Sequence, residues 1–211
     1  MPARPGQRVL EGGSGAGAAL LCLAMRVPGL QGAGVERDPE LATLADQNAQ
    51  ANGLPGLTFL AGDVTDMPGL GPFDHALANP PYHPAAGTPS PDPARAQAKR
   101  AGKGLLATWA HALATPLRHR GTLTLILPAG SLPECLAAMA AAACPAAAVL
   151  PLWPKPGQPA RLVLVQGVKS GRTPLRLLPG LLLHRPEGGY TIEADAILRD
   201  GSALTMRDPG A

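Results

Sequence analysis

Arg8-Val9-Leu10-Glu11-Gly12-Gly13-Ser14-Gly15-Ala16-Gly17 decides how the rest of the chain is read. Its first residues form a short, mainly apolar run of strand type that closes on an acid. A glycine-rich turn follows, and then an apolar stretch of helical length from residue 18 to about 26. Strand, glycine turn and helix in that order begin a nucleotide-binding βαβ unit. Glycines let the backbone approach a ligand closely, and the following helix points its free N–H groups at the same place.

Working outward, residues 32–35 read as a second strand ending in Glu36, where an acceptor for ribose hydroxyls is expected in such a unit. A helix over 39–52 has Pro39 in its first turn, a favourable place for proline. Leu41, Leu44, Ala45, Asn48 and Ala49 form its expected inner stripe, and Gly53 stops it. Residues 57–60 are a third strand, ending at Gly62-Asp63-Val64. A fourth, Phe73-Asp74-His75-Ala76-Leu77-Ala78, runs into Asn79-Pro80-Pro81-Tyr82. The two prolines lack the N–H that a ladder needs and hold their predecessors extended. The strand therefore stops in a stiff turn at its carboxyl end, where open α/β sheets bind ligands. The Asn79 amide and the Pro80 carbonyl offer two acceptor oxygens, which suit the two hydrogens of a planar amine. Tyr82 adds a ring on which a flat substrate can stack.

At 211 residues the chain is long enough for one sizeable domain, or one domain plus an extension. Glycine (26) and proline (25) are abundant, but an apolar fraction of 45% and recurring strand-like runs point to a globular protein. Aromatic residues make up only 3%, so the core must be built from Leu, Val and Ala. Cys22, Cys135 and Cys144 are odd in number and form no C-x-x-C pair. Free thiols, no metal site and a reducing, cytoplasmic compartment are expected. Met1 is not followed by a basic and then an apolar leader segment, so no signal peptide is expected. The net charge of +3 is uneven: residues 1–90 hold four basic against eight acidic residues, residues 91–211 fourteen against seven. That asymmetry suggests a polyanion partner for the second half.

Glu11-x-Gly13-x-Gly15-x-Gly17, Glu36, Asp63 and Asn79-Pro80-Pro81-Tyr82, in this order and spacing, resemble an S-adenosylmethionine-dependent methyltransferase of the Rossmann-like class. The proline tetrapeptide resembles that of enzymes methylating exocyclic or amide nitrogens. NAD binding is the nearest confusion, but Gly13-Ser14-Gly15-Ala16-Gly17 departs from G-x-G-x-x-G and the tetrapeptide has no role in hydride transfer. The resemblance implies an α/β fold: a seven-stranded sheet, mostly parallel with an antiparallel last strand and helices on both faces. It implies S-adenosylmethionine as cofactor. The turn Gly13, Ser14, Gly15, Gly17 would line its methionine part, with Glu11 orienting the amino group. Glu36, with Arg37 beside it, would hold the ribose; Asp63 and the Val64 N–H would hold the adenine. Asn79, Pro80, Pro81 and Tyr82 would form the catalytic turn, with Asn79 also touching cofactor.

Residues 83–102 form a long Pro/Ala-rich loop, and Arg95, Lys99, Arg100 and Lys103 near its end are candidates for contact with RNA phosphates. A helix is expected over 104–119, with Leu105, Leu106, Trp109 and Leu113 on one side. Residues 123–127 read as the fifth strand. Ser131 and Glu134 have the pattern of a capping box for a helix running to about residue 143. Residues 147–150 and 162–165 close the sheet. The tail Lys169-Ser170-Gly171-Arg172, Leu181-Leu182-Leu183-His184, Gly188-Gly189-Tyr190-Thr191 and Ala194-Asp195-Ala196-Ile197-Leu198 is similar to that of the bacterial tRNA adenine-N6 methyltransferase family. That family modifies the adenosine 3′ of the anticodon in a valine tRNA, so the resemblance implies tRNA as partner. Other amine substrates, a guanine in ribosomal RNA or a protein glutamine, fit the same tetrapeptide, and a non-catalytic RNA-binding relative fits the fold. Residues 1–169 are then the cofactor-binding domain, and 170–211 an extension packed on it. Two departures stand out. The family's lead-in segment before the first strand is expected to be missing, and Gly12 stands where a large apolar residue is usual. A hole there would cost roughly 1.5–3 kcal/mol of lost burial.

Overall fold

The computed structural model describes residues 3–66, 69–81 and 104–206. Nine strands form one sheet: β1 Arg8–Gly12, β2 Gln31–Glu36, β3 Leu57–Ala61, β4 Phe73–Ala78, β5 Leu117–Pro128, β6 Ala146–Trp153, β7 Leu162–Val168, β8 Arg176–Leu177 and β9 Leu181–Leu182. Their spatial order is β3-β2-β1-β4-β5-β7-β6-β8, with β9 also paired to β6. The first five strands are mutually parallel, and β7 is antiparallel to both β5 and β6. The expected seven-stranded sheet is therefore present. β8 and β9 extend its β6 edge, pairing with β6 in parallel.

Among the described residues five helices flank it: α1 Ala18–Arg26, α2 Pro39–Ala51, α3 Leu105–Ala114, α4 Leu132–Ala141 and α5 Ile192–Arg199. Successive strand residues face opposite sides. Val9 packs with Leu20, Leu23, Ala45 and Phe59 in the layer of α1 and α2. Leu10 packs with Leu106, Ala110, Leu113 and Met139 in the layer of α3 and α4. The α1/α2 layer stops short of β6, and the C-terminal stretch covers that part of the sheet. Leu178, Leu181 and Met206 bury Ala148, Leu150 and Leu152 there. Each such apolar side chain contributes roughly 1.5–3 kcal/mol by burial. Among the described residues no helix is long and apolar enough to cross a membrane.

Several expectations are corrected. In α2 the buried residues are Ala42, Ala45 and Ala49, while Leu41 and Leu44 are exposed. At position 45 the helix lies close on the glycine turn: a Cβ on Gly17 would lie 3.1 Å from that of Ala45 and 2.8 Å from Phe59 Cζ, which leaves little room there for a side chain larger than alanine. The helix predicted over 104–119 stops at Ala114, and β5 begins at Leu117. Pro116 has no N–H with which to continue the helical ladder. Ser131 makes no capping hydrogen bond; it closes a 3-10 turn over Ala129–Ser131, and Pro133 in the first turn of α4 has no N–H to offer. The capping box is absent. Gly12 leaves no hole. A Cβ there would lie 3.0 Å from Leu113 Cδ2, 3.0 Å from Val64 Cγ2 and 3.4 Å from Trp109 Cζ3, so neighbours already fill the space.

Candidate active site

β1 and β4 are neighbours, yet the chain leaves β1 toward β2 on the other side. The strand order therefore switches between them, and a crevice opens at their carboxyl ends. It is a cleft of roughly 670 Å³, lined by residues that include Gly13, Glu36, Arg37, Asp63, Val64, Asn79, Pro81 and Trp109. The carboxyl ends of four strands thus bring four widely separated sequence signals to one place.

The glycine turn is fixed by its neighbours. The N–H groups of Gly13 and Ser14 both donate to the Val35 carbonyl, at 2.8 and 3.1 Å. Gly13 has φ of 65°, and a Cβ on it would lie 2.9 Å from Trp109 Cη2, so no larger residue fits. Glu36 reaches back to the turn: one carboxylate oxygen accepts the Gly15 N–H at 2.8 Å, the other the Asp38 N–H at 3.0 Å. Each oxygen keeps a second lone pair for a ligand hydroxyl. Asp63 accepts the Thr65 N–H at 2.9 Å and the Thr65 hydroxyl at 2.7 Å through one oxygen. Those two hydrogen bonds, and then the charge of Arg37, hold its carboxyl below the usual carboxylate range. Val64 is buried beside it.

Asn79 follows Ala78, which pairs with both Gly12 and Leu125 at the centre of the sheet. Its side chain is exposed into the cleft and hydrogen-bonds no described residue, while Pro80 is buried beneath it. Pro81 lines the same cleft. Tyr82, His83, Arg95, Lys99, Arg100 and Lys103 lie outside the described residues.

Glu11 lies at the end of β1, and one oxygen of its buried carboxylate accepts the Leu20 N–H at 3.1 Å, in the first turn of α1. Burial pushes its carboxyl up to about 7; the Leu20 hydrogen bond opposes this and the nearby charge of Glu36 adds to it. A Cβ on Gly17 would meet Phe59 and Ala45, so this glycine lets both pack on the turn. Ser14 Oγ is buried and has no hydrogen-bond partner among the described residues. Sequence reasoning placed Trp109 on one side of its helix with Leu105, Leu106 and Leu113 and gave it no part in the site; the structure puts it, with Leu105 and Thr108, on the wall of the cleft. The available signal was topological. A crossover helix between parallel strands begins at their carboxyl ends, so its first turns stand beside any ligand bound there.

Comparison with known proteins accords with this geometry. A family profile described as a methyltransferase domain matches residues 3–114, more than half of the chain. Over 81 residues the chain is 38% identical to the release factor glutamine methyltransferase of Rhodospirillum rubrum, covering 38% of this chain and 25% of that one. It is 41% identical over 81 residues to the 23S rRNA (uracil(1939)-C(5))-methyltransferase RlmD of Shewanella sp. (strain ANA-3), covering 36% of this chain and 18% of that one. The match thus spans a quarter or less of these relatives' own length. Among solved structures, a predicted O-methyltransferase, protein Atu636 from Agrobacterium tumefaciens, superposes with a TM-score of 0.79 at 24% identity. That alignment covers 99% of this chain and 95% of the other, and at such identity it is a likeness of fold.

Proposed function

The chain belongs to the methyltransferase-domain family, and we propose that it is an S-adenosylmethionine-dependent enzyme that methylates a planar NH₂ nitrogen, N6 of an unpaired adenosine in a tRNA anticodon loop. One observation carries the reaction class. The Asn79-Pro80-Pro81 turn stands at the carboxyl end of the central strand, and its exposed asparagine opens on the same cleft as Glu36 and Asp63.

The cleft's residues suit the cofactor. Glu36 keeps one lone pair on each oxygen for the two ribose hydroxyls, and Asp63 keeps an oxygen for the adenine amine. The Val64 N–H is assigned to the adjacent ring nitrogen. Gly13 brings bare backbone to the methionine part, flanked by Ser14, and Arg37 borders the ribose side. Glu11 we assign to seating α1 behind the turn, since its carboxylate is bonded to Leu20.

When bound, S-adenosylmethionine supplies a methyl group already activated by a positive sulfur. The protein's task is to present the nitrogen. An aryl amine delocalises its lone pair into the ring. The Asn79 amide oxygen and the Pro80 carbonyl accept its two hydrogens, which keeps the lone pair on nitrogen and aims it at the methyl group. Positioning and electrostatics of this kind supply most of the rate. No general base is required, because the protonated product is a strong acid and releases its proton to water.

The excess of basic residues in the second half supports a nucleic-acid substrate, held through its phosphates. An anticodon-loop base is already unpaired, so drawing it into a pocket costs less than from a duplex. Arg95, Lys99, Arg100 and Lys103 are assigned to that backbone, and Tyr82 to stacking on the base. A second reading is a protein glutamine, whose carboxamide also presents a planar NH₂. It is favoured by the 38% identity to the release factor glutamine methyltransferase. Transfer of an isotope-labelled methyl group to total tRNA, ribosomal RNA and protein separates the two. Label recovered as N6-methyladenosine from tRNA supports the proposal. Label on glutamine selects the second reading, and no label in any fraction overturns both.

A further inference from the structure

Trp109 stands in the cleft without a role in the account above. Its helix is fixed from behind by buried Leu106, Ala110 and Leu113. Leu105, Thr108 and Trp109, three and four residues apart, are thereby turned to the cleft. The six-membered ring of the indole abuts the backbone where β1 enters the glycine turn. The position of a Gly13 Cβ is 2.9 Å from Cη2 and 3.5 Å from Cζ3, and that of a Gly12 Cβ is 3.4 Å from Cζ3. The glycines at 12 and 13 thus make room for this ring as well as for a ligand. Only the outer edge of the six-membered ring, Cη2 and Cζ3, comes this close to the turn, and the residue is partly buried on the cleft wall.

The ligand that reacts here carries a positive charge on sulfur, and the product that must leave does not. Apart from that charge and one methyl group the two are the same molecule. We propose that Trp109 is a cofactor-contacting specificity residue whose indole face attracts the sulfonium and so favours S-adenosylmethionine over S-adenosylhomocysteine. Tryptophan is the strongest aromatic partner for a cation, and the attraction grows where water is partly excluded. The inference rests on the assignment of the cleft to the cofactor. It adds a means of product release: once the methyl group is transferred the charge is gone, and so is the attraction.

Calorimetric titration with both ligands tests it. Wild-type protein is titrated first. If it binds neither ligand, the assignment of the cleft fails and takes this inference with it. If it binds both, Trp109→Leu is expected to weaken S-adenosylmethionine about 3- to 30-fold and S-adenosylhomocysteine less than about 2-fold. Trp109→Phe should fall between. Equal losses for the two ligands, or no loss for either, overturn the proposal. The retained S-adenosylhomocysteine affinity shows that the variant is folded. Should the leucine variant not fold, fluorinated tryptophans can be incorporated in a Trp153→Phe background, which leaves Trp109 as the only tryptophan. Fluorination keeps the shape and drains the π face. Stepwise loss of S-adenosylmethionine affinity is expected, and a constant affinity overturns the proposal.

Discussion

The two ends of the parallel strands are built from the same sheet and treat their polar groups in opposite ways. At the amino ends, side chains are paired with side chains or backbone of other elements. Buried His75 bonds Thr122 Oγ1 at 2.7 Å through Nδ1 and Gln7 Oε1 at 3.1 Å through Nε2. Asp74 accepts the Arg8 N–H at 2.8 Å through one oxygen and pairs with Arg118 at 2.7 Å through the other. Lys169 donates to the carbonyls of Thr115 and Leu117. At the carboxyl ends the acceptors are only half occupied. Glu36 holds loop amides, Asp63 bonds Thr65 through one oxygen, and Asn79 bonds no described residue. One end ties strands together; the other keeps acceptor capacity in a cleft. These acceptors are open to solvent and converge on one cleft, which leaves them available to a ligand.

Asn79→Ala should break the contrast most deeply. Methyl transfer is expected to fall at least about 100-fold, by analogy with loss of one fixed transition-state contact, while calorimetric cofactor affinity changes less than about 3-fold. Next come Glu36→Ala and Asp63→Ala. Each removes a charged acceptor for the cofactor and should weaken its binding about 10- to 100-fold. At the opposite end the effect should change in kind. Thr122→Val leaves His75 with one partner, and denaturant unfolding should show a loss of about 1 kcal/mol. Cofactor affinity should be unchanged, and a change there would show that the two ends are coupled.

The last effect is one of pH. Glu11 is raised from the ordinary 4.5 to about 7, so the folded state holds its proton more tightly than the unfolded chain. That contribution to stability is present below 4.5 and is lost as pH rises to about 7. His75 is held below 6.5, first by burial, so its contribution is present above 6.5 and is lost as pH falls below it. The slopes oppose each other. Denaturant midpoints of Glu11→Gln, measured from pH 5 to 8, should lose the decline toward pH 7 and keep the decline on acidification.

Much of the cofactor half was legible because its signals are local. Glycine and proline mark the ends of β1, α1 and α2 by their own backbone constraints, and α1 runs over the expected residues. Asp38 caps α2 by accepting the N–H groups of Glu40 and Leu41, with Pro39 in the first turn. What was missed depends on contacts between distant parts. The α2 stripe was read to include Leu41 and Leu44, but the helix turns Ala42, Ala45 and Ala49 inward and sets Ala45 close on the Gly17 turn. The two-residue strands β8 and β9 have no periodicity of their own and exist because β6 offers an edge. Gly12 suggested a hole, and the packing of Val64, Leu113 and Trp109 removes it.

A crystal structure of the protein with S-adenosylhomocysteine tests the central claim most directly. The account predicts density in the carboxyl-end cleft, with the ribose hydroxyls on Glu36, the adenine amine on Asp63 and the sulfur facing Asn79. Density in another part of the molecule, such as the groove between the ends of α1 and α2 lined by Met25, Pro28, Asn52 and Leu54, would contradict it.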